Sequence, residues 1–100
     1  MTGSTVFVLA ARGVRRALLI SRTVDRRDRP RCKVRVLGSA AAVRLDPSLV
    51  FDRPDTAHAA WLRARQHQAD VVRAGARLRV VDAHLSLAYA EAGHGAQLVA

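Results

Sequence analysis

The side chains best suited to chemistry in this 100-residue chain are its cations, and most of them lie in one segment. Sixteen arginines and one lysine outnumber the acidic residues, which leaves a net charge of +9. Ten of these cations fall within residues 12–35, opposed only by Asp25 and Asp28. Guanidinium groups fork onto phosphate oxygens, and their binding releases counterions from a polyanion. The segment therefore predicts phosphate contacts to nucleic acid by Arg12, Arg15, Arg16, Arg26, Arg27, Arg29, Arg31, Lys33 and Arg35.

The scarcity of aromatic residues narrows the kind of nucleic acid expected. Phe7, Phe51, Trp61 and Tyr89 are the only aromatic side chains. Proteins that bind single strands stack bases on exposed aromatic rings. Phe7 and Phe51 lie in the expected strand region, and both are expected in its core. We therefore expect backbone contact with duplex DNA or structured RNA, with weak sequence preference.

Residues that could carry catalysis or bind a metal do not form a recognisable pattern. The four histidines, at positions 58, 67, 84 and 94, lack metal-ligand spacing with a carboxylate or thiol. Cys32 is the only cysteine, so an intramolecular disulfide is impossible, which fits a reducing compartment. No glycine-rich phosphate loop and no ordered serine, histidine and acid set is present. We expect a non-enzymatic protein with no cofactor and no metal.

The high charge has a second interpretation that does not involve nucleic acid. Nineteen alanines, one isoleucine and no asparagine are typical of a bacterial protein from a very GC-rich genome, where arginine is the default cation. Part of the charge then only solubilises the surface, or it attracts an acidic protein. The alternative function is a protein–protein interaction adaptor of phage or plasmid type.

The first half of the chain has the alternation and turns of short β-strands. Strands are expected near residues 5–9, 14–23, 32–36, 42–45 and 49–51. Cys32, Val34 and Val36 would face inward while Lys33 and Arg35 face outward. In the next strand, inward positions fall at residues 43 and 45.

This half of the chain resembles the SH3-like barrels of Tudor and KOW type. The residues that carry the resemblance are the run Lys33–Ser39, then Ala42–Leu45, then Asp46-Pro47 before a last short strand. The resemblance spans Val6 to Phe51 and implies a small closed antiparallel barrel.

A second resemblance concerns a shorter stretch. Gly13–Ser21 is similar to the early strand of small ribonuclease toxins from toxin–antitoxin pairs, which also use an SH3-like core. In those toxins a proline precedes the apolar run, and here Arg16 takes that position. This resemblance implies a ribonuclease as a minor alternative function, and no catalytic residue is carried over.

The second half of the chain has helical periodicity interrupted by one glycine. A helix is expected from about residue 55 towards Gly75, followed by a kink or break and a second apolar stripe that ends near Ala92. Residues 76–82 remain open between helix and a sixth strand at Arg77–Val81. The expected fold is a single α+β domain over 1–100, with a barrel at 5–53, a helical arm at 55–92 and a tail at 93–100.

The helical arm supplies the second candidate surface. Its apolar stripes either pack back onto the barrel or form a contact with a partner or a second copy in a homodimer. No signal peptide is visible, and the apolar stretches are too short to cross a membrane, so a cytoplasmic location is expected. The candidate interface residues are Trp61, Leu78, Val81, Leu85 and Tyr89.

Overall fold

Five strands followed by two helices make up the computed structural model, which describes residues 4–92. The α+β class is confirmed. The predicted tail at 93–100 lies outside the described residues. The elements are β1 (Ser4–Ala10), β2 (Gly13–Val24), β3 (Pro30–Val36), β4 (Val43–Leu45), a 3-10 turn (Pro47–Leu49), β5 (Val50–Phe51), α1 (Pro54–Arg73) and α2 (Val80–Ala92).

The strands form one antiparallel sheet in the order β4-β3-β2-β1-β5. Consecutive hairpins join the first four strands, and β5 returns to pair with β1. The sheet is open, with β4 and β5 as its two edges, so the closed barrel expected from the sequence is not formed by hydrogen bonding. The edge strands β4 and β5 have only three and two residues, so each offers few backbone hydrogen-bonding groups to a further strand.

Strand β3 follows the predicted alternation. Cys32 and Val34 are buried, and Arg35 between the two inward positions 34 and 36 is exposed. Pro30 is the first residue of β3, a position where a missing amide costs no central ladder bond. Val43 faces inward as predicted, directly opposite Val34, but it is 44% exposed because β4 is an edge strand with no neighbour on its outer side.

Two core regions lie on opposite faces of the sheet. The first contains Val6, Val8, Ala17, Cys32 and Val34, and partly buried residues of β4 and β5 pack against it, so the strands build it without a helix. The second surrounds the buried residues Leu9, Leu49 and Ala57 and includes side chains from both helices. Because side chains alternate along β1, the helices cover the face of β1 opposite the first core.

Glycine ends the first helix, as predicted. Gly75 has a φ of 96°, a left-handed conformation that glycine adopts without strain. Residues 76–79 are irregular and α2 begins at Val80, so the sixth strand considered for Arg77–Val81 is wrong. Fully buried Ala64 and Ala83 let the two helices approach closely around Val80. Neither helix in residues 4–92 is both long and apolar enough to span a membrane.

Candidate nucleic-acid interface

Five cations share the sheet face that points away from the strand-built core, and all but Arg31, which is paired with Asp25 and Asp46, lack a carboxylate partner among the described residues. Since Ala17, Cys32 and Val34 point inward, their neighbours on the same strands must point outward. By the same alternation, Arg44 faces outward on β4, because the next residue, Leu45, packs against the inner core. We call the four side chains other than Arg31 the outer cation row, and it consists of Arg16, Lys33, Arg35 and Arg44.

Strand register brings the outer cation row together. Lys33 lies directly opposite Arg44 on the neighbouring strand, and Arg35 lies opposite Leu18, two residues along β2 from Arg16. Directly opposite residues have Cβ atoms about 5 Å apart, and diagonal neighbours are about 7–8 Å apart. Within residues 4–92, no carboxylate lies within 4.0 Å of any of the four charged groups. The row is therefore a concentrated positive charge that lacks internal neutralisation across the described part of the chain.

The turn between β2 and β3 is organised by Asp25. One carboxylate oxygen accepts hydrogen bonds from the backbone amides of Arg27 at 2.8 Å and Arg29 at 3.0 Å. The other oxygen accepts from Nε of Arg29 at 3.0 Å and Nε of Arg31 at 3.3 Å. The backbone hydrogen bond from Arg29 is the main reason that the pKa of Asp25 is lowered to about 2. The carboxylate therefore stays ionised and fixes the arginine-rich turn.

Asp46 forms a second anchor, where β4 meets the 3-10 turn. Its Oδ1 accepts from the amide of Ser48 at 2.9 Å and from the hydroxyl of Ser48 at 2.7 Å. Its Oδ2 accepts from Nη1 of Arg31 at 3.2 Å and from the hydroxyl of Tyr89. Burial alone would raise the pKa of Asp46, but the hydrogen bonds from Tyr89 and Ser48 outweigh it and lower that pKa. The hydrogen bond to Asp46, with burial, raises the pKa of Tyr89.

A groove of about 560 Å³ opens beside these anchors. Its walls come from the β2–β3 turn, the 3-10 turn and the last part of α2. Tyr89 is 53% exposed although its hydroxyl is held by Asp46, so its ring is both fixed and accessible. The lining residues are Arg29, Pro30, Asp46, Pro47, Ser48, Ala88 and Tyr89.

The nine predicted phosphate contacts occupy several places. Arg16, Lys33 and Arg35 lie in the outer cation row. Arg12 is in the β1–β2 turn, and Arg15 points to the other face of β2.

The remaining four predicted contacts lie around the β2–β3 turn. Arg26 and Arg27 are exposed there, and no described carboxylate pairs with them. Arg29 and Arg31 are paired with Asp25, and Arg31 also contacts Asp46. The twelve residues of β2 separate this turn from Arg12, so the nine do not form one patch.

Sequence reasoning missed Arg44. It stands outside the dense arginine segment, and only the pairing of β4 with β3 brings it opposite Lys33. Its position between Val43 and Leu45, both predicted inward, was the signal that it faces outward.

Most residues of the predicted partner interface make contacts within the protein itself. Trp61 donates from Nε1 to the Ala10 carbonyl at 2.9 Å, and the Arg65 guanidinium lies 5.3 Å from its ring centroid. Leu78, Val81 and Leu85 pack against the buried clusters. Tyr89 is the exposed member of the set. A partner or dimer contact through these residues stays a prediction.

His84 and the cysteine are also engaged by protein groups. His84 Nε2 lies 2.7 Å from the Ser48 carbonyl, which can only accept, so the proton resides on Nε2. Cys32 is buried, with its Sγ 3.6 Å from Nη1 of Arg22. Among residues 4–92, no three side chains of histidine, cysteine, aspartate or glutamate gather as metal ligands would. Comparisons with models of known families, with curated proteins and with solved structures find no match to this chain.

Proposed function

We propose that this protein is a non-enzymatic, cytoplasmic nucleic-acid-binding protein that contacts phosphates through the outer cation row. The observation that supports this most directly is the pair Lys33 and Arg44, two cations that face each other without a carboxylate among the described residues. Like charges at opposed strand positions destabilise a sheet, and a phosphate between them would offset that repulsion. Duplex DNA and structured RNA both present phosphates at the density needed.

We also propose that the sheet curves as an SH3-like barrel does. The first core is built from side chains of all five strands with no helix over it, which supports a sheet that bends around its own inner face. The 3-10 turn between β4 and β5 is consistent with that curvature. Bending would present the outer cation row on the convex face of β2, β3 and β4, beside the part of that face that the helices cover at β1.

Salt dependence gives the first test of phosphate contact. Four neutralised phosphates predict that log K falls with log salt at a slope of about −3 to −4 on duplex DNA. Fluorescence anisotropy of a labelled duplex, measured between low and physiological salt, gives this slope. No binding to DNA or RNA at low salt would overturn the proposal.

A matched pair of variants separates a specific surface from bulk charge. The first combines Arg16→Ala, Arg35→Ala and Arg44→Ala, and we expect at least about tenfold weaker binding and a shallower salt slope. The control combines Arg63→Ala, Arg73→Ala and Arg79→Ala, which removes the same charge from arginines paired with Glu91, Asp70 and Asp82 on the helices. Equal losses in both variants would show that the charge acts without a defined surface.

A further inference from the structure

We infer that the groove beside Tyr89 takes an unpaired nucleobase, so that the preferred ligand is a structured nucleic acid carrying an unpaired nucleotide. This inference rests on the proposed function and adds a recognition element to it. Backbone contact alone cannot distinguish a paired from an unpaired nucleotide, whereas a stacking surface can.

The ring of Tyr89 has the properties of a stacking platform. Its hydroxyl is held by Asp46, which fixes the ring, while more than half of the residue is accessible. A fixed ring loses little conformational freedom when a flat ligand stacks on it. Pro30, Pro47 and Ala88 add apolar walls that suit a base rather than a phosphate.

The groove connects to the outer cation row through β3. Arg31 contacts the same carboxylate oxygen that holds Tyr89, and it precedes Lys33 by two residues on the outer side of the strand. Residues two apart on a strand are about 6.7 Å apart, so Arg35 is only two such steps from the groove. A nucleic-acid backbone lying along Lys33 and Arg35 would bring its next nucleotide to Tyr89.

Charge at the groove favours an anionic ligand such as a nucleotide over a neutral or cationic one. Arg29 lines the groove with its side chain 55% exposed, and Arg26 and Arg27 belong to the same turn. The one carboxylate in the lining, Asp46, is compensated by Arg31 and fully used by its hydrogen bonds. The phosphate of the extruded nucleotide thus meets cations and no free carboxylate among the described lining residues.

The test compares two labelled duplexes that differ by one unpaired adenosine bulge. We expect the bulged duplex to bind about tenfold more tightly, and 2-aminopurine placed in the bulge to change its emission on binding. Tyr89→Phe keeps the stacking ring but loses its hydrogen bond to Asp46, so it should keep part of the preference. Tyr89→Leu removes the ring and should abolish the preference while binding to the paired duplex stays unchanged.

The possible outcomes distinguish a failure of this inference from a failure of the proposed function. If neither duplex binds at low salt, the proposed function itself fails. Equal binding of both duplexes, or a preference that survives Tyr89→Leu, overturns the inference and leaves phosphate contact intact. Should Tyr89→Leu lose its circular dichroism signal, Ala88→Phe fills the groove from α2 instead and is expected to remove the preference. Binding of a proline-rich peptide without bulge preference would assign the groove to a protein partner.

Discussion

Lys33 and Arg44 lie directly opposite each other on β3 and β4, so two positive charges face each other across adjacent strands. The described residues place no carboxylate within 4.0 Å of either group. Arg31, two residues before Lys33, is by contrast neutralised by both Asp25 and Asp46. The fold therefore compensates the charge of Arg31 at the start of β3 and leaves Lys33 and Arg44 without an internal partner among the described residues.

Reversing one charge in this pair should stabilise the fold and weaken the proposed binding to nucleic acid. Arg44→Glu creates a cross-strand ion pair with Lys33, which we expect to raise the free energy of unfolding by about 0.2–1 kcal/mol. Nucleic-acid affinity should fall in the same variant. Urea denaturation and anisotropy measure the two effects, with Arg44→Gln as the control that removes repulsion without adding attraction. A less stable Arg44→Glu protein would contradict the assigned register.

Tyr89 reports on its bond to Asp46 through its own ionisation. It is the only tyrosine in the chain, so phenolate absorbance follows this one group. The hydrogen bond to Asp46 raises the pKa of Tyr89 above its usual value of 10.0. We therefore expect the midpoint of the phenolate absorbance to lie above pH 10. A raised pKa contributes stability below pH 10 that is lost as pH rises through the folded value.

Removing the charge of Asp46 tests the cause. Asp46→Asn should move the midpoint of Tyr89 back towards 10, while Asp52→Asn, at an exposed position before α1, should leave it in place. If the titration midpoint of Tyr89 does not change in Asp46→Asn, Tyr89 and Asp46 are not in contact in solution.

Acid should loosen the β2–β3 turn. The folded pKa of Asp25 is about 2 against an ordinary 3.8, so its contribution is complete above about pH 4 and is lost as pH falls towards 2. Denaturation midpoints measured across this window should fall more steeply in the native protein than in Asp25→Asn. Asp28→Asn is the control from the same turn, because its side chain makes none of these hydrogen bonds. Parallel curves for all three proteins would contradict the anchoring role of Asp25.

The strand pattern of the first half could be predicted because burial there alternates residue by residue. Cys32 and Val34 are apolar residues that alternate with cationic residues in the sequence, and both are buried. Val43 also points inward, opposite Val34, but it stays exposed, since an inward position on an edge strand is covered only where another element reaches it. Alternation indicates which way a residue points and does not indicate what lies over it.

The candidate site depended on contacts that no local pattern contains. Arg44 reaches Lys33 through strand pairing, and Tyr89 reaches Asp46 across 43 positions of sequence. Helical periodicity grouped Tyr89 with Leu85, yet Leu85 packs into the core while Tyr89 stays accessible. The hydrogen bond from Tyr89 to Asp46, at the start of the 3-10 turn, distinguishes the two residues. That bond forms only when α2 packs against the sheet.

The break between the helices should depend on backbone conformation alone. A Cβ added at Gly75 meets no atom within 4 Å, so Gly75→Ala introduces strain from the positive φ without a clash. We expect a loss of about 1–2 kcal/mol, and a smaller loss for Gly75→Asn, since asparagine tolerates left-handed conformations. Thermal unfolding gives both values. Equal losses would point to some other role for the glycine.

The contact between the helices should reject larger side chains. Ala83 has no exposed surface and packs with Ala64 and Val80. Ala83→Leu overfills this contact, which we expect to cost about 1–3 kcal/mol. Ala59→Leu, at an exposed position on α1, is the matched control and should be close to neutral. A stable Ala83→Leu protein with unchanged Trp61 fluorescence would contradict the close approach of α1 and α2.

The position of β1 sets the order in which this chain can fold. Its pairing with β2 is local and can form early, but its second neighbour, β5, arrives roughly forty residues later. Contacts between such distant segments close slowly, because loop entropy must be overcome before they form. We expect refolding to show an early hairpin signal, and then a slower rise in Trp61 fluorescence as its indole reaches the Ala10 carbonyl.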